Sequence, residues 1–158
     1  MIGIGGVSMK GNRIRNSNWY ERENEEPRYF KTNHHLHFDD TVIDQHKVAS
    51  LSFKTRDYER LVYTETIESH EAKKVTVGLI IRGNDLDEIN YKVAFYNKDD
   101  SCIDVYSHNV VEEVTPHFKR VCVTYPIPNE TCYMKVGWEF KGINTGVTIF
   151  HPSVHLID

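Results

Sequence analysis

Three tyrosines give the first chemical hint. Tyr96, Tyr106 and Tyr133 each fall out of step with the apolar residues of the alternating segment around them. Successive strand side chains point to opposite faces, so all three rings are expected on solvent-facing sides of strands. A ring held outward can stack on the C–H face of a sugar. His108, out of step in the same way as Tyr106, together with Arg82 and Glu139, would supply hydrogen-bonding groups for the hydroxyls. The histidines suggest a second chemistry. His35 and His37 form an H-x-H pair beside His34, with His46 beyond and His151 and His155 near the end of the sequence. A two-residue step along a strand can present two imidazoles to one metal, and Asp39, Asp40 and Asp44 are acids within reach. The glycines that frame such metal motifs are missing, which favours an exposed or structural histidine cluster. A third chemistry would pair Glu65, Glu68, Glu112 or Glu113 as hydrolytic acid and nucleophile, but sequence does not bring them together. No nucleophile elbow, phosphate loop or zinc knuckle is present.

The elements that must position these residues read as strands almost throughout. Phe118–Tyr125, Cys132–Phe140 and Val147–Ile157 alternate apolar with polar residues, the first two separated by the breaker run Pro126-Ile127-Pro128-Asn129. Cys132, Met134, Val136, Trp138 and Phe140 form one expected core face. Earlier candidates are Asn12–Trp19, Arg28–Phe38 closed by a turn at Asp39-Asp40, Lys47–Phe53, Arg60–Ile67, Lys74–Ile81 and Ile89–Tyr96. A weaker run continues from Ile103 towards Val114, with Ile103 and Val105 as its inward residues. Trp19 is expected as a core plug under the first strand. Leu86–Glu88 could make at most one helical turn. The spacing predicts an all-β fold, a two-sheet antiparallel β-sandwich of jelly-roll type, with a short extension over residues 1–9 and one domain over 10–158.

Composition narrows the partners. A net charge of −4 gives no electrostatic reason to expect nucleic acid or an anionic membrane surface. Cys122 and Cys132 fall on opposite faces of their strands, so a disulfide between them is not expected, and reduced cysteines favour a cytoplasmic or phage-borne protein. Met1–Met9 lacks the basic start of a secretory signal, and no segment has the length of a membrane helix.

Several motifs together resemble the galactose-binding-like jelly rolls, in particular the carbohydrate-binding modules found beside glycoside hydrolases. They are Asn16-Ser17-Asn18-Trp19 after a short strand, Val93–Asp100 as an edge strand and turn, Phe118-Lys119-Arg120 before Tyr125-Pro126, and the closing pair Gly137–Phe140 and Val147–Leu156. Two positions depart from that pattern: Tyr20-Glu21-Arg22-Glu23 replaces the usual Glu-Gly-Trp, and Ser101 stands where a turn glycine is usual. The resemblance implies a non-catalytic module that recognises a glycan, and a structural calcium held by an early and a terminal acid, here Glu21 and Asp158. The alternative is a structural or assembly protein, such as a phage tail or scaffold component forming a homo-oligomer or larger assembly. A metal-dependent jelly-roll enzyme using His35 and His37 ranks third.

Overall fold

The computed structural model describes residues 11–23, 26–32, 37–43, 46–55, 58–142 and 144–158, with backbone alone for strand residues 37–43, 46–47, 53–55 and 144–145. The expected extension over residues 1–9, His34, His35 and Asp44 lie outside the described residues. In chain order the strands are β1 (Arg22–Glu23), β2 (Glu26–Pro27), β3 (Phe30–Thr32), β4 (His37–Ile43), β5 (His46–Thr55), β6 (Tyr58–Tyr63), β7 (Ile67–Glu68), β8 (Lys74–Asn84), β9 (Glu88–Tyr96), β10 (Cys102–Asn109), β11 (Lys119–Pro126), β12 (Tyr133–Lys141) and β13 (Asn144–Ile157). Among the described residues the only helical element is a 3-10 turn at Val111–Glu113.

All pairings are antiparallel. One sheet has the order β10-β9-β12-β6-β3 with β7 also on β12, the other the order β11-β8-β13-β5-β4, and β1 and β2 form a small separate hairpin. The alternation puts Ile89, Tyr91, Val93 and Phe95 of β9 and Met134, Val136, Trp138 and Phe140 of β12 into the core, where they meet Val75, Val77, Leu79 and Ile81 of β8. Period-two sequences bury one face per sheet, so two such sheets close on each other as the expected β-sandwich.

A phenol bridges the layers. The Tyr125 hydroxyl of β11 donates to the Tyr91 carbonyl of β9 at 2.6 Å. Burial pushes the Tyr125 phenol from its usual 10.0 up to about 12. The folded state therefore favours the protonated form. This contribution to stability is fully present below about pH 10 and is lost as the pH rises through about 12. Alkaline unfolding followed by circular dichroism should start in that window, and Tyr125→Phe, which removes one of the ionising groups, should lessen it at a cost of about 1 kcal/mol at neutral pH.

Several local expectations are corrected. Asn12–Trp19 is a turn rather than a strand, because Asn16 and Trp19 adopt φ of 56° and 57°. Asn16 stabilises it by accepting from the Glu21 backbone N–H at 3.0 Å and donating to the Glu21 and Arg28 carbonyls at 2.8 and 3.1 Å. Trp19 is fully buried, as expected. Asp39-Asp40 does not end a strand but lies inside β4, paired with Ser50 and Ala49. Leu86 and Asp87 form no helical turn, and Glu88 already belongs to β9. Cys132 is exposed just ahead of β12 instead of starting its core face. Cys102, Cys122 and Cys132 are all free thiols. Gly142 has φ +85°, and a Cβ there would run into the Asp87 side chain. Gly142→Ala should therefore cost about 2 kcal/mol and lower the melting temperature by about 4–8 °C, readable by calorimetry.

Candidate functional site

The outer face of the six-stranded sheet brings two of the expected tyrosines together. Tyr133 of β12 pairs directly with Tyr96 of β9. Cross-strand partners project to the same side, and the two rings stack with centroids 5.0 Å apart and planes 6° from parallel. Each ring thus has one face against the other and one face turned away. Lys135, the next outward residue of β12, sets its ammonium 5.1 Å from the Tyr96 centroid. The Tyr133 hydroxyl donates to Asp100 Oδ1 at 2.9 Å, and that bond to a carboxylate pushes the phenol upward. Asp100 sits in the β9–β10 turn at φ +62°, a left-handed conformation that favours glycine, one residue before the Ser101 position where a glycine is usual. Sequence reasoning missed Lys135 and Asp100. Lys135 shares the period-two face of Tyr133, which was the available signal, whereas Asp100 is placed by a turn that alternation does not describe.

The stack stands at the rim of a loop cleft. A cleft of about 660 Å³ lies between Glu68–Lys73 and Ile127–Cys132. It adjoins the stack because Glu68 pairs with Tyr133 and the Cys132 N–H donates to the Tyr96 carbonyl at 2.8 Å. Ser69 fastens the two loops through its hydroxyl, 2.6 Å from the Thr131 carbonyl. His70, Glu71 and Glu130 on these loops share the positive φ of Asp100. Non-glycine residues in that region are strained, and such strain clusters where a surface is held for a task. On the other side of the stack, Ala94 and the 48% exposed Val105 extend an apolar strip one residue pair inward along the sheet.

The other expected residues lie elsewhere. Tyr106 was expected outward but faces the opposite sheet, packing on Phe95 at 5.1 Å and Tyr125 at 5.7 Å between centroids. A bulge between Cys102 and Asp104 inserts one residue and reverses the alternation, so Ile103 and Val105 are exposed instead of inward. His108 follows the same reversal: it is exposed, yet in register with the inward Tyr91. Arg82 is on the outer face of the five-stranded sheet, its guanidinium 4.4 Å from the Phe118 ring centroid. Glu139 shares the face of Tyr133 but lies about 20 Å further along β12. There it accepts from Tyr58 at 2.7 Å and pairs with Lys92 at 3.5 Å. Burial and that bond push the Tyr58 phenol up to about 12.

Among the described residues, acids and histidines form no second centre. Glu21 is ion-paired with Arg28 at 3.3 Å, and Asp158 is exposed after β13. Among the described residues no group of three or more His, Cys, Asp or Glu side chains converges as a metal site. Calcium takes about six or more oxygens, so Glu21 and Asp158 would need ligands beyond themselves. Glu65 pairs with Arg15 and Glu68 with His70, while Glu112 and Glu113 lie in the 3-10 turn. No helix among the described residues is long and apolar enough to cross a membrane.

No protein-family model matches the sequence, and no curated protein does. Solved structures do match. A domain of bacteriophage CBA120 tailspike protein 4 aligns at TM-score 0.69 and 13% identity over 92% of this chain, which spans only 21% of that tailspike chain. The TmCBM61 module, solved in complex with β-1,4-galactotriose, aligns at TM-score 0.57 and 12% identity over 92% of this chain and 98% of the module. The family 11 carbohydrate-binding module of a cellulosomal cellulase of Clostridium thermocellum aligns at TM-score 0.53 and 10% identity over 96% of this chain and 97% of the module. The two stacked sheets, the antiparallel order and these alignments together give the chain the jelly-roll β-sandwich fold of carbohydrate-binding modules.

Proposed function

We propose that this domain is a non-catalytic glycan-binding module whose sugar platform is the Tyr96–Tyr133 stack at the rim of the loop cleft. The observation that carries it is the stack itself, two parallel, half-buried rings on the outer sheet face flanked by the Lys135 ammonium and the Asp100 carboxylate. Apolar ring faces meet sugar C–H groups, while the charged pair and the cleft loops meet hydroxyls. The fold shared with carbohydrate-binding modules supports the same reading. A glycan array probed with the tagged protein tests it, run with and without calcium so that ion dependence near Glu21 and Asp158 is read in the same experiment. A saturable signal on one sugar class is expected, and a blank array from folded protein overturns the reading.

A role in a larger assembly is the second reading, favoured by the alignment with part of a much longer phage tailspike chain. Light scattering separates the two. A stable trimer or ring at micromolar concentration supports assembly, and a monomer supports a free module.

A further inference from the structure

The five-stranded sheet carries a second cluster, on the face turned away from the tyrosine stack. Strands β8, β11 and β13 contain no Asp or Glu, although the chain has 23 acidic residues and a net charge of −4. Arg120 of β11 reaches across Gly78 of β8 towards β13. A Cβ on Gly78 would lie 2.7 Å from Cys122 Sγ and 2.9 Å from Ser153 Oγ, forcing both to shift, while meeting the guanidinium at 3.4 Å, so glycine here leaves the Cys122 and Ser153 side chains of the cluster in place. One guanidinium nitrogen donates to the buried Ser153 hydroxyl at 2.9 Å, and the other lies 3.1 Å from His151 Nδ1. Arginine can only donate, so His151 Nδ1 accepts and its proton sits on Nε2, a further donor. His151 reaches this place because the β13 bulge between Phe150 and Ser153 holds it at φ +53°.

The remaining guanidinium N–H groups, the Ser153 O–H and the His151 Nε2–H are donors at this spot, beside the Cys122 thiol. No ion pair among the described residues includes Arg120. Burial and the Arg120 charge push both His151 and the neighbouring His155 below their usual range, so neither adds a competing positive charge at neutral pH. Burial pushes the Cys122 thiol up, and Glu113 is felt at that thiol but at neither histidine. A planar guanidinium fixed from two sides, with donors beside it and no acid ion-paired to it, is suited to a carboxylate or sulfate group. We propose that Arg120, His151 and Ser153 over Gly78 form an oxyanion-binding site for such a group, independent of the tyrosine platform.

Sodium sulfate titrated into ¹⁵N-labelled protein, at ionic strength held constant with chloride, tests this site. Saturable shifts are expected at Gly78, Arg120, His151 and Ser153, together with a rise in the His151 titration midpoint, because the anion offsets the Arg120 charge. Arg120→Gln should weaken sulfate binding by about tenfold or more. Since Arg120 also ties β11 to β13, His151→Gly serves as the second variant: it relieves a positive φ, keeps the fold and should still weaken binding. Arg82→Gln, on the same face but outside the cluster, should leave binding unchanged. Shifts no larger than those caused by chloride, or undiminished in both cluster variants, overturn the proposal. Trigalacturonate competing with sulfate assigns the site to acidic saccharide chains, and sulfate binding without such competition assigns it to a free oxyanion.

Discussion

Trp138→Ala should be the most damaging single core substitution, costing about 3–5 kcal/mol. Trp138 is fully buried on β12, the strand between β9 and β6, and packs edge to face on Tyr91 at 6.5 Å. Truncation leaves a cavity walled by both neighbouring strands, which paired backbones cannot close. Domains are stable by only about 5–15 kcal/mol, so the variant should melt about 10 °C lower or fail to fold. Trp138→Phe provides the contrast. The Trp138 indole N–H is buried without a partner among the described residues, so removing it also removes an unmet donor, which offsets part of the lost packing. Calorimetry of the two variants checks this: similar losses in both would mean that the cavity is not what costs stability.

The second large effect concerns ligand binding. Tyr133→Ala should weaken the glycan found on the array by at least about tenfold, and the double variant with Tyr96→Ala should fall below detection, since a well-placed aromatic contributes about 2 kcal/mol at a binding site. Both rings are on the outer face rather than in the core, so melting temperatures should stay near the parent value. Tyr133→Phe keeps the ring and loses only the bond to Asp100, and should bind more weakly than the parent but better than Tyr133→Ala. Glu139→Gln, on the same face but far along β12, should bind as the parent does. Isothermal titration of the four variants beside the parent decides it, and full binding by the double variant would remove the platform from consideration.

How much of this was legible in the sequence depended on what alternation can and cannot encode. The β12 core face from Met134 to Phe140 could be read directly, because a regular strand with one apolar face has a single register. β10 could not. One extra residue at Ile103 inverts every side chain after it, and the sequence around it still alternates cleanly. The opening turn was hidden for a similar reason, since the left-handed φ of Asn16 and Trp19 has no periodic signature. In the candidate site, Tyr96 and Tyr133 were legible as outward residues, but not as partners across two strands. Arg82 was grouped with them because periodicity tells which way a side chain points relative to its neighbours, not which sheet its strand joins.

The Cys102–Asp104 bulge also bears on how the molecule meets copies of itself. β10 is an outer strand, with hydrogen-bonding groups open to any extended chain that could add to it. The inserted residue breaks the even spacing of those groups, and the reversed register turns the Asp104 position to the side occupied by Phe95. A newcomer aligning along β10 would face an interrupted ladder and a carboxylate it would have to bury. The irregularity that withdrew Tyr106 from the solvent thus also guards an exposed sheet margin against growth into fibres.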